Sequence, residues 1–435
     1  MRYFLFFSLF ISSFLVKAQN TIQWLELSAM PERVSNNAVC AAEVDGVPYV
    51  YSFTGIDTSK DWHGIHLKAF RYNTNTQQWD ILPDVPDPNG GKIAAGASTV
   101  KNKIYIIGGY HVASTYIETS SNKVHVFDPQ SNDYLSDGAP VPIAIDDHVQ
   151  AVWRDSLIYV ITGWSNSTNV PNVQIYNPSV DTWMEGTPVP NTAAWKVFGG
   201  SGVIIGDTIY YMGGARALNG FPPSSQWRKG VINPNNPSEI TWEAFTDPLA
   251  KGYRMATGRY QDQAFWLGGS LVTYNFDGIA YSSGGGVQPI DRISFLENGI
   301  LQEWNGLVPA VMDLRGLAQI TPNTYIIAGG MEAGQSVSDR CYQITIDDLS
   351  PVAGPVKKQD KAPSFYPNPC RNSFFVDTDE LETLRMFSLD GTEATLEFSP
   401  GQTEVRLPDT LKGLYVLQWK TAHGKTGTNC LLILP

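Results

Sequence analysis

The chemically capable residues of this chain are few and grouped. Only 17% of its 435 residues are charged. Polar and charged side chains nevertheless gather at Asn37, Lys92, Asp146-Asp147-His148, Trp195-Lys196, Tyr253-Arg254 and Asp313 with Arg315. A carboxylate beside an imidazole can exchange a proton with a substrate, which makes Asp147 and His148 the candidates for acid–base work. Arg254 and Arg315 suit a carboxylate, because a guanidinium offers it two parallel N–H donors. Lys92, Asp146, Trp195, Lys196, Tyr253 and Asp313 complete a mixed lining of polar groups and aromatic faces, which suits a polar ligand. His63-Gly-Ile-His66 has a spacing compatible with metal ligation, with Asp61 or Asp146 to add oxygen ligands. A bare His-x-x-His in a loop is a weak signal, so His63 and His66 are minor metal candidates and no cofactor is expected.

The common signatures of catalysis are missing. There is no Gly-x-Ser-x-Gly elbow, no Walker loop and no His-Glu-x-x-His. Ser283-Gly-Gly-Gly286 does not open a helix after a strand and reads as a flexible loop. With 30 basic against 42 acidic residues, the net charge of −12 disfavours nucleic acid, whose binding rests on cationic side chains. Four cysteines without a Cys-x-x-Cys exclude a disulfide scaffold and a four-cysteine zinc cluster.

The elements that position these residues follow from a repeat. Aromatics at 12%, with 39 Gly and 28 Pro, point to many short strands joined by turns. Six runs share an aromatic, small or apolar residues and a closing Gly: Tyr51–Gly55, Tyr105–Gly109, Tyr159–Gly163, Tyr210–Gly214, Phe265–Gly269 and Tyr325–Gly329. Downstream aromatics, Trp79, Tyr134, Trp183, Trp242 and Trp304, each open a further strand that ends at a Pro. The sixth unit lacks this strand, and residues 22–27 with Trp24, ahead of the first unit, supply it.

Four strands per period of about 50 residues resemble kelch repeats. The resemblance implies an all-β, six-bladed kelch β-propeller over 20–350, its ring closed by the N-terminal strand. The aromatic columns are then core. The long loops after each second strand share one face with the starts of the inner strands, so the polar groups named above form a rim around the central channel.

The two ends speak of location. Residues 1–18 combine Arg2, an apolar run and Val16-Lys17-Ala18, the pattern of a cleaved secretory signal peptide. Residues 351–363, rich in Pro and Lys, read as a linker. Beyond it, short alternating runs predict a small C-terminal β-sandwich over 364–435. There Phe365-Tyr366-Pro367-Asn368-Pro369, Met386 to Gly391, Gly413 to Leu417 and a final apolar strand are similar to the C-terminal sorting domain of the Bacteroidetes type IX secretion system. That resemblance implies export to the cell surface or the medium, with the secretion machinery as partner. Cys370 and Cys430 fall in its first and last strands, and spacing alone leaves their pairing open.

The expected function is that of a secreted or surface kelch propeller, monomeric and without a transmembrane segment, that binds a glycan or protein through the long-loop face. The alternative is a sugar-acid mutarotase or epimerase, since Gly329 to Asp339 resembles the closing blade of the N-acetylneuraminate epimerase family. The loop 215–226 has Arg216 but lacks that family's acidic partner. A copper site like that of galactose oxidase would need a Cys beside a ligand Tyr, whereas Cys40 and Cys341 sit within repeat strands.

Overall fold

The computed structural model of the chain describes residues 20–348, 363, 365–366, 368–376, 381–400, 402–408, 410–422 and 426–434. The expected leader 1–18, residues 351–362 of the linker, and Pro367 lie outside the described residues. The chain divides between residues 350 and 351 into two compact units. Strands dominate both, and no helix among the described residues is long and apolar enough to cross a membrane.

In the first unit, six sheets of four or five strands, antiparallel but for one two-residue parallel pairing, follow one another among the described residues, beside two minor two-stranded ribbons. The third is representative: Val149–Trp153, Leu157–Ile161, Val173–Asn177 and Thr182–Gly186 pair in that order. The sixth departs from it. Ala318–Thr321, Thr324–Ala328 and Cys341–Asp348 are completed by Asn20–Leu27, which pairs with Cys341–Asp348 from Asn20↔Asp348 to Leu27↔Cys341. Trp24 on that strand sets its ring 5.7 Å from Tyr342. Trp79 packs likewise on Tyr72 at 5.3 Å, Tyr134 on Phe127 at 5.0 Å, Trp183 on Tyr176 at 4.9 Å and Trp304 on Phe295 at 5.1 Å. Such edge and tilted pairs add stability beyond the area they bury. The indole N–H groups of Trp79, Trp183 and Trp242 donate to the carbonyls of Ser28, Ala139 and Thr187, tying each outer strand to residues of a preceding repeat.

The inner strands are built from small residues, as in Ile93–Val100 (IAAGASTV) and Phe198–Ile205 (FGGSGVII). Each lies beside the next: Ala38–Val44 by Ile93–Val100, then Val149–Trp153, Phe198–Ile205 and Ala256–Tyr260. Arg315–Gly316 lies near Ala256–Tyr260 and pairs in parallel with Ala38–Val39. Strands that converge this closely leave no room for large side chains; a Cβ at Gly96 would come within 2.4 Å of Gln150 Oε1.

The repeat glycines register the sheets against one another. The N–H groups of Gly55, Gly109, Gly163, Gly214, Gly269 and Gly330 donate to the carbonyls of Lys92, Ile145, Val197, Gly252, Val311 and Val34 at 2.8–3.2 Å. The sixth member is therefore Gly330 rather than Gly329, one residue later than the repeat pattern predicts. The reason is the doubled glycine. Gly329 takes the place of Gly108, Gly213 and Gly268, all at positive φ, where a Cβ would meet the facing carbonyl at 2.2–2.4 Å. Thr162 holds the same left-handed place in the third sheet at φ 47°, and its hydroxyl accepts from Val197 N–H at 3.1 Å.

The second unit is a small two-sheet sandwich. One sheet pairs Phe365–Tyr366, Ser373–Val376 and Glu404–Arg406; the other pairs Glu393–Ala394, Leu381–Ser388, Gly413–Thr421 and Thr426–Ile433. Phe374, Met386, Val405, Leu417 and Leu431 fill the core between them. Cys370 is buried, Cys430 is exposed, and both thiols are free.

Candidate functional site

Six residues with left-handed backbone stand at equivalent places just ahead of, or at the start of, the inner strands: Asn36, Ala94, Asp147, Gly199, Arg254 and Asp313, with φ between 46° and 63°. Asn, Asp and Gly tolerate this region; Arg254 and Ala94 are held in it at a cost of about 1–2 kcal/mol each. A circuit of hydrogen bonds holds them. Asp147 N–H donates to the Ala94 carbonyl, Gly199 to Asp147, Arg254 to Gly199, Leu314 to Arg254 and Asn36 to Asp313. Ala94 N–H donates to Asn36 Oδ1 at 2.9 Å. Gly199 carries no side chain because the Tyr253 ring fills the space, 2.3 Å from where a Cβ would stand.

The long side chains of this circuit meet one another. Arg254 grips Asp147 with Nε to Oδ1 at 3.1 Å and Nη2 to Oδ2 at 2.6 Å, and donates from Nη1 to Asp313 Oδ1 at 2.7 Å. Arg315 donates from Nη2 to the His148 carbonyl at 2.9 Å and approaches Asp147 only at 3.5 Å. All four charged side chains are at most 5% exposed. Burial opposes the Arg254 charge, but the Asp147 and Asp313 carboxylates outweigh it and hold its pKa well above the usual range. Burial, then the charge on Asp147, pushes the neighbouring Asp146 carboxyl well upward. Asp146 Oδ2 accepts from Ser120 Oγ at 2.5 Å, an arrangement a neutral or a charged carboxyl can both use. Burial and then Arg315 hold the His148 imidazole down at about 4, so it is neutral at pH 7. Its Nε2 lies 2.9 Å from Gln150 Oε1 and donates to it, since Gln150 Nε2 itself donates to Ser98 Oγ.

The rim of the sequence reading is therefore a sealed ion network. Asp147 and Arg254 are committed to each other, and a substrate carboxylate would have to displace Asp147 to reach Arg254. The seal is the loop after the second strand of the fifth sheet, residues 270–290, the longest of the six. Its Tyr274 ring lies 5.0 Å from Tyr253, with the Arg254 guanidinium 5.6 Å from the Tyr274 centroid and 5.2 Å from that of Tyr253. Phe276 crosses to the first two sheets and packs with Ile56, Ile93 and Tyr110. Tyr281 sits against Phe221 at 4.9 Å and Phe198 at 6.1 Å. Tyr274, Phe276 and Tyr281 were not among the expected site residues. The available signal was the length of a loop that spends three aromatics in a nearly uncharged stretch. Glu118, also unforeseen, is exposed at this end, yet crowding by protein raises its carboxyl against the opposing pull of Arg254.

Structure brings together Asp146, Asp147, His148, Tyr253, Arg254, Asp313 and Arg315. Five other expected residues stand apart. Lys92 lies two residues before Ala94 and points into a different buried cluster. There its Nζ meets Asp87 Oδ2 at 3.1 Å, and His125 bridges Asp87 at 3.2 Å and Asp137 at 2.8 Å. Trp195 packs edge-on to Trp242 at 6.2 Å, and Lys196 follows it, both well before Gly199. His63 is exposed and bonded to Asp61 at 2.9 Å, whereas His66 is half-buried, with both ring nitrogens covered and without a hydrogen-bond partner. Among the described residues, no trio of His, Cys, Asp or Glu converges on a point that suits a metal.

Below the network lies a channel of about 710 Å³ lined by the inner strands. Arg315 and His148 stand at its inner end, small residues such as Gly96, Ala97, Ser98, Gly202 and Thr257 form its wall, and the exposed turn residues Arg154, Asp155 and Gly206 mark the opposite end.

Comparison with known proteins agrees with this architecture. A family model for the kelch motif matches residues 94–134. The Kelch-like protein terF of Aspergillus terreus is 26% identical over 43% of this chain and 43% of its own length. Human Kelch-like protein 23 is 30% identical over 26% of this chain and 19% of its own. The chain thus matches less than half the length of these relatives. The solved structure of YjhT superposes with a TM-score of 0.59 and 16% identity, covering 74% of this chain and 99% of that one, a likeness of fold alone. Together these findings support a kelch-repeat β-propeller and, at a general level, a binding or scaffold role.

Proposed function

We propose that the chain is a six-bladed kelch propeller, closed through its N-terminal strand, that binds a protein or glycan partner through its long-loop face. The observation that carries the binding reading is where large apolar side chains meet solvent. Trp62, Tyr116, Ile117, Leu218, Leu271 and Val272 are all exposed, and all lie on loops after second strands. Apolar groups are exposed on outer strands and turns as well, Ile81, Val180 and Ile300 among them, so these six support the reading as a group on the face the long loops share. Closure draws support from the pairing of Asn20–Leu27 with the sixth sheet and from the six-membered hydrogen-bond circuit. Export by a cleaved leader and a type IX sorting domain over 364–435 completes the proposal and rests on the two sequence resemblances. A glycan array and a panel of surface-protein fragments test it. The expected result is a saturable binder whose affinity drops at least tenfold with Tyr116→Ser and Leu271→Ser together. A binder indifferent to both substitutions would overturn the assignment of the face.

A second reading, isomerisation of a sugar acid, has one observation in its favour. Asp146 and Glu118 both have raised carboxyl pKa values within electrostatic reach of Arg254, which suits a proton donor beside an anion-holding cation. NMR exchange between anomers of a sugar acid decides this reading, and a rate equal to that in buffer ends it.

A further inference from the structure

The channel's inner end holds a cation whose pairing is incomplete. Arg254 takes both oxygens of Asp147 in a side-on grip and Oδ1 of Asp313, whose Oδ2 is left without a hydrogen-bond partner. Arg315 is left with a loose 3.5 Å approach to Asp147 and one backbone carbonyl. Its side chain is 5% exposed, and its Nε–H has no hydrogen-bond partner. A guanidinium keeps its charge at every physiological pH, and a buried charge without a full complement of partners is costly.

The groups around it do not supply the missing anion. Asp155, the acidic residue on the channel wall, is engaged by the Lys101 N–H at 2.8 Å and by its Nζ at 3.5 Å. Arg154 is spent on Asp207 in a two-bond grip. Arg259, at the open end, is exposed and forms no ion pair among the described residues. Among the described residues the wall thus offers one cation without an ion pair, Arg259, one loosely paired cation, Arg315, and no unspent carboxylate, in a chain of net charge −12. Low-dielectric walls concentrate such a field along the channel. Partway along, the Thr257 hydroxyl is buried without a partner, and the His148 Nδ1 at the inner end is an unused acceptor.

We propose that this channel is a binding site for a small carboxylate ligand. The ligand enters at the end carrying Arg154, Arg259 and Gly206 and places its carboxylate against the Arg315 guanidinium at the inner end. A single carboxylate fits because Arg254 and Arg315 are balanced by Asp147 and Asp313, and Arg259 alone adds about one positive charge to the channel; a phosphate dianion would bring more charge than Arg259 can offset. The channel volume of about 710 Å³ lies within the range of small-molecule sites. This site is separate from the long-loop face, so either assignment can fail without the other.

The test is calorimetric titration of the full chain with the monocarboxylate sodium butyrate, against sodium phosphate and sodium chloride at matched ionic strength. The expected result is saturable one-site binding of butyrate that is at least tenfold weaker in Arg315→Gln. Because Arg315→Gln removes a buried group and can unfold the chain, the exposed Arg259→Glu carries the test independently, with an expected loss of about threefold to tenfold. Lack of saturable butyrate binding, equal binding of phosphate, or an affinity unchanged in Arg259→Glu each overturns the proposal.

Discussion

The two ends of the central channel make opposite use of charge. At the long-loop end, where the sequence concentrates its Asp and Arg residues, the groups neutralise one another under a lid of Tyr274, Phe276 and Tyr281. Toward the other end, Gly, Ala, Ser and Thr of the inner strands line an open cavity that leads from a mouth carrying Arg154, Asp155 and Arg259 to the loosely paired Arg315 guanidinium. Charge density in sequence therefore marks a structural lock here, while an unremarkable run of small residues marks the space a ligand can enter. The physical cause is geometry. Long side chains at the left-handed positions reach across the axis and find each other, and small ones on the converging strands leave a void.

The sharpest way to break this contrast is to open the lock. Arg254→Leu leaves Asp147 and Asp313 buried without their partner and should cost about 3–5 kcal/mol in urea unfolding. A loss under about 1 kcal/mol would mean that the long-loop end is not held by its ions.

The next largest effect is on pH. Folded His148 stays neutral down to about 4, while in the unfolded chain it takes up a proton near 6.5. Between these values the unfolded state binds more protons, so stability falls as pH drops through that window, by up to about 3 kcal/mol for this group. The raised Asp146 carboxyl acts in the opposite sense, gaining a proton in the folded state first. His148→Gln should flatten the acid limb of a plot of unfolding midpoint against pH, and an unchanged slope would show that another group governs it.

A smaller effect tests the register between sheets. Gly268→Ala at φ 61° sets a Cβ 2.4 Å from the Val311 carbonyl, and a loss of about 1–3 kcal/mol in thermal unfolding is expected. Smallest of all, Tyr116→Ser should change stability by no more than about 0.5 kcal/mol while weakening partner binding. A Tyr116→Ser protein that unfolds early would place that ring in the core of the loop face instead of at a contact surface.

The repeat was legible because burial imposes it: an aromatic must pack on the third strand of its own sheet, and a glycine must pass the facing carbonyl. The sixth glycine was misplaced by one residue because Gly329-Gly330 offers two candidates, and only the hydrogen bond from Gly330 to Val34 distinguishes them. Among the site residues, Asp147, Arg254 and Asp313 could be found from their places at the starts of inner strands. Lys92 could not be told from them, because a two-residue offset along an extended strand reverses nothing visible in composition yet moves the side chain to Asp87.

Local chemistry determined the strands, the periodic core and the identity of the charged groups, since each depends on neighbours within one repeat. Tertiary structure decided which of those groups meet, because Asp147, Arg254 and Asp313 come from the third, fifth and sixth repeats, and their encounter depends on the convergence of the inner strands. It also decided that the loop 270–290 would cover them and that Arg315 would line the inner end of the channel. Those outcomes depend on the direction of a side chain in space, which spacing along the chain does not encode.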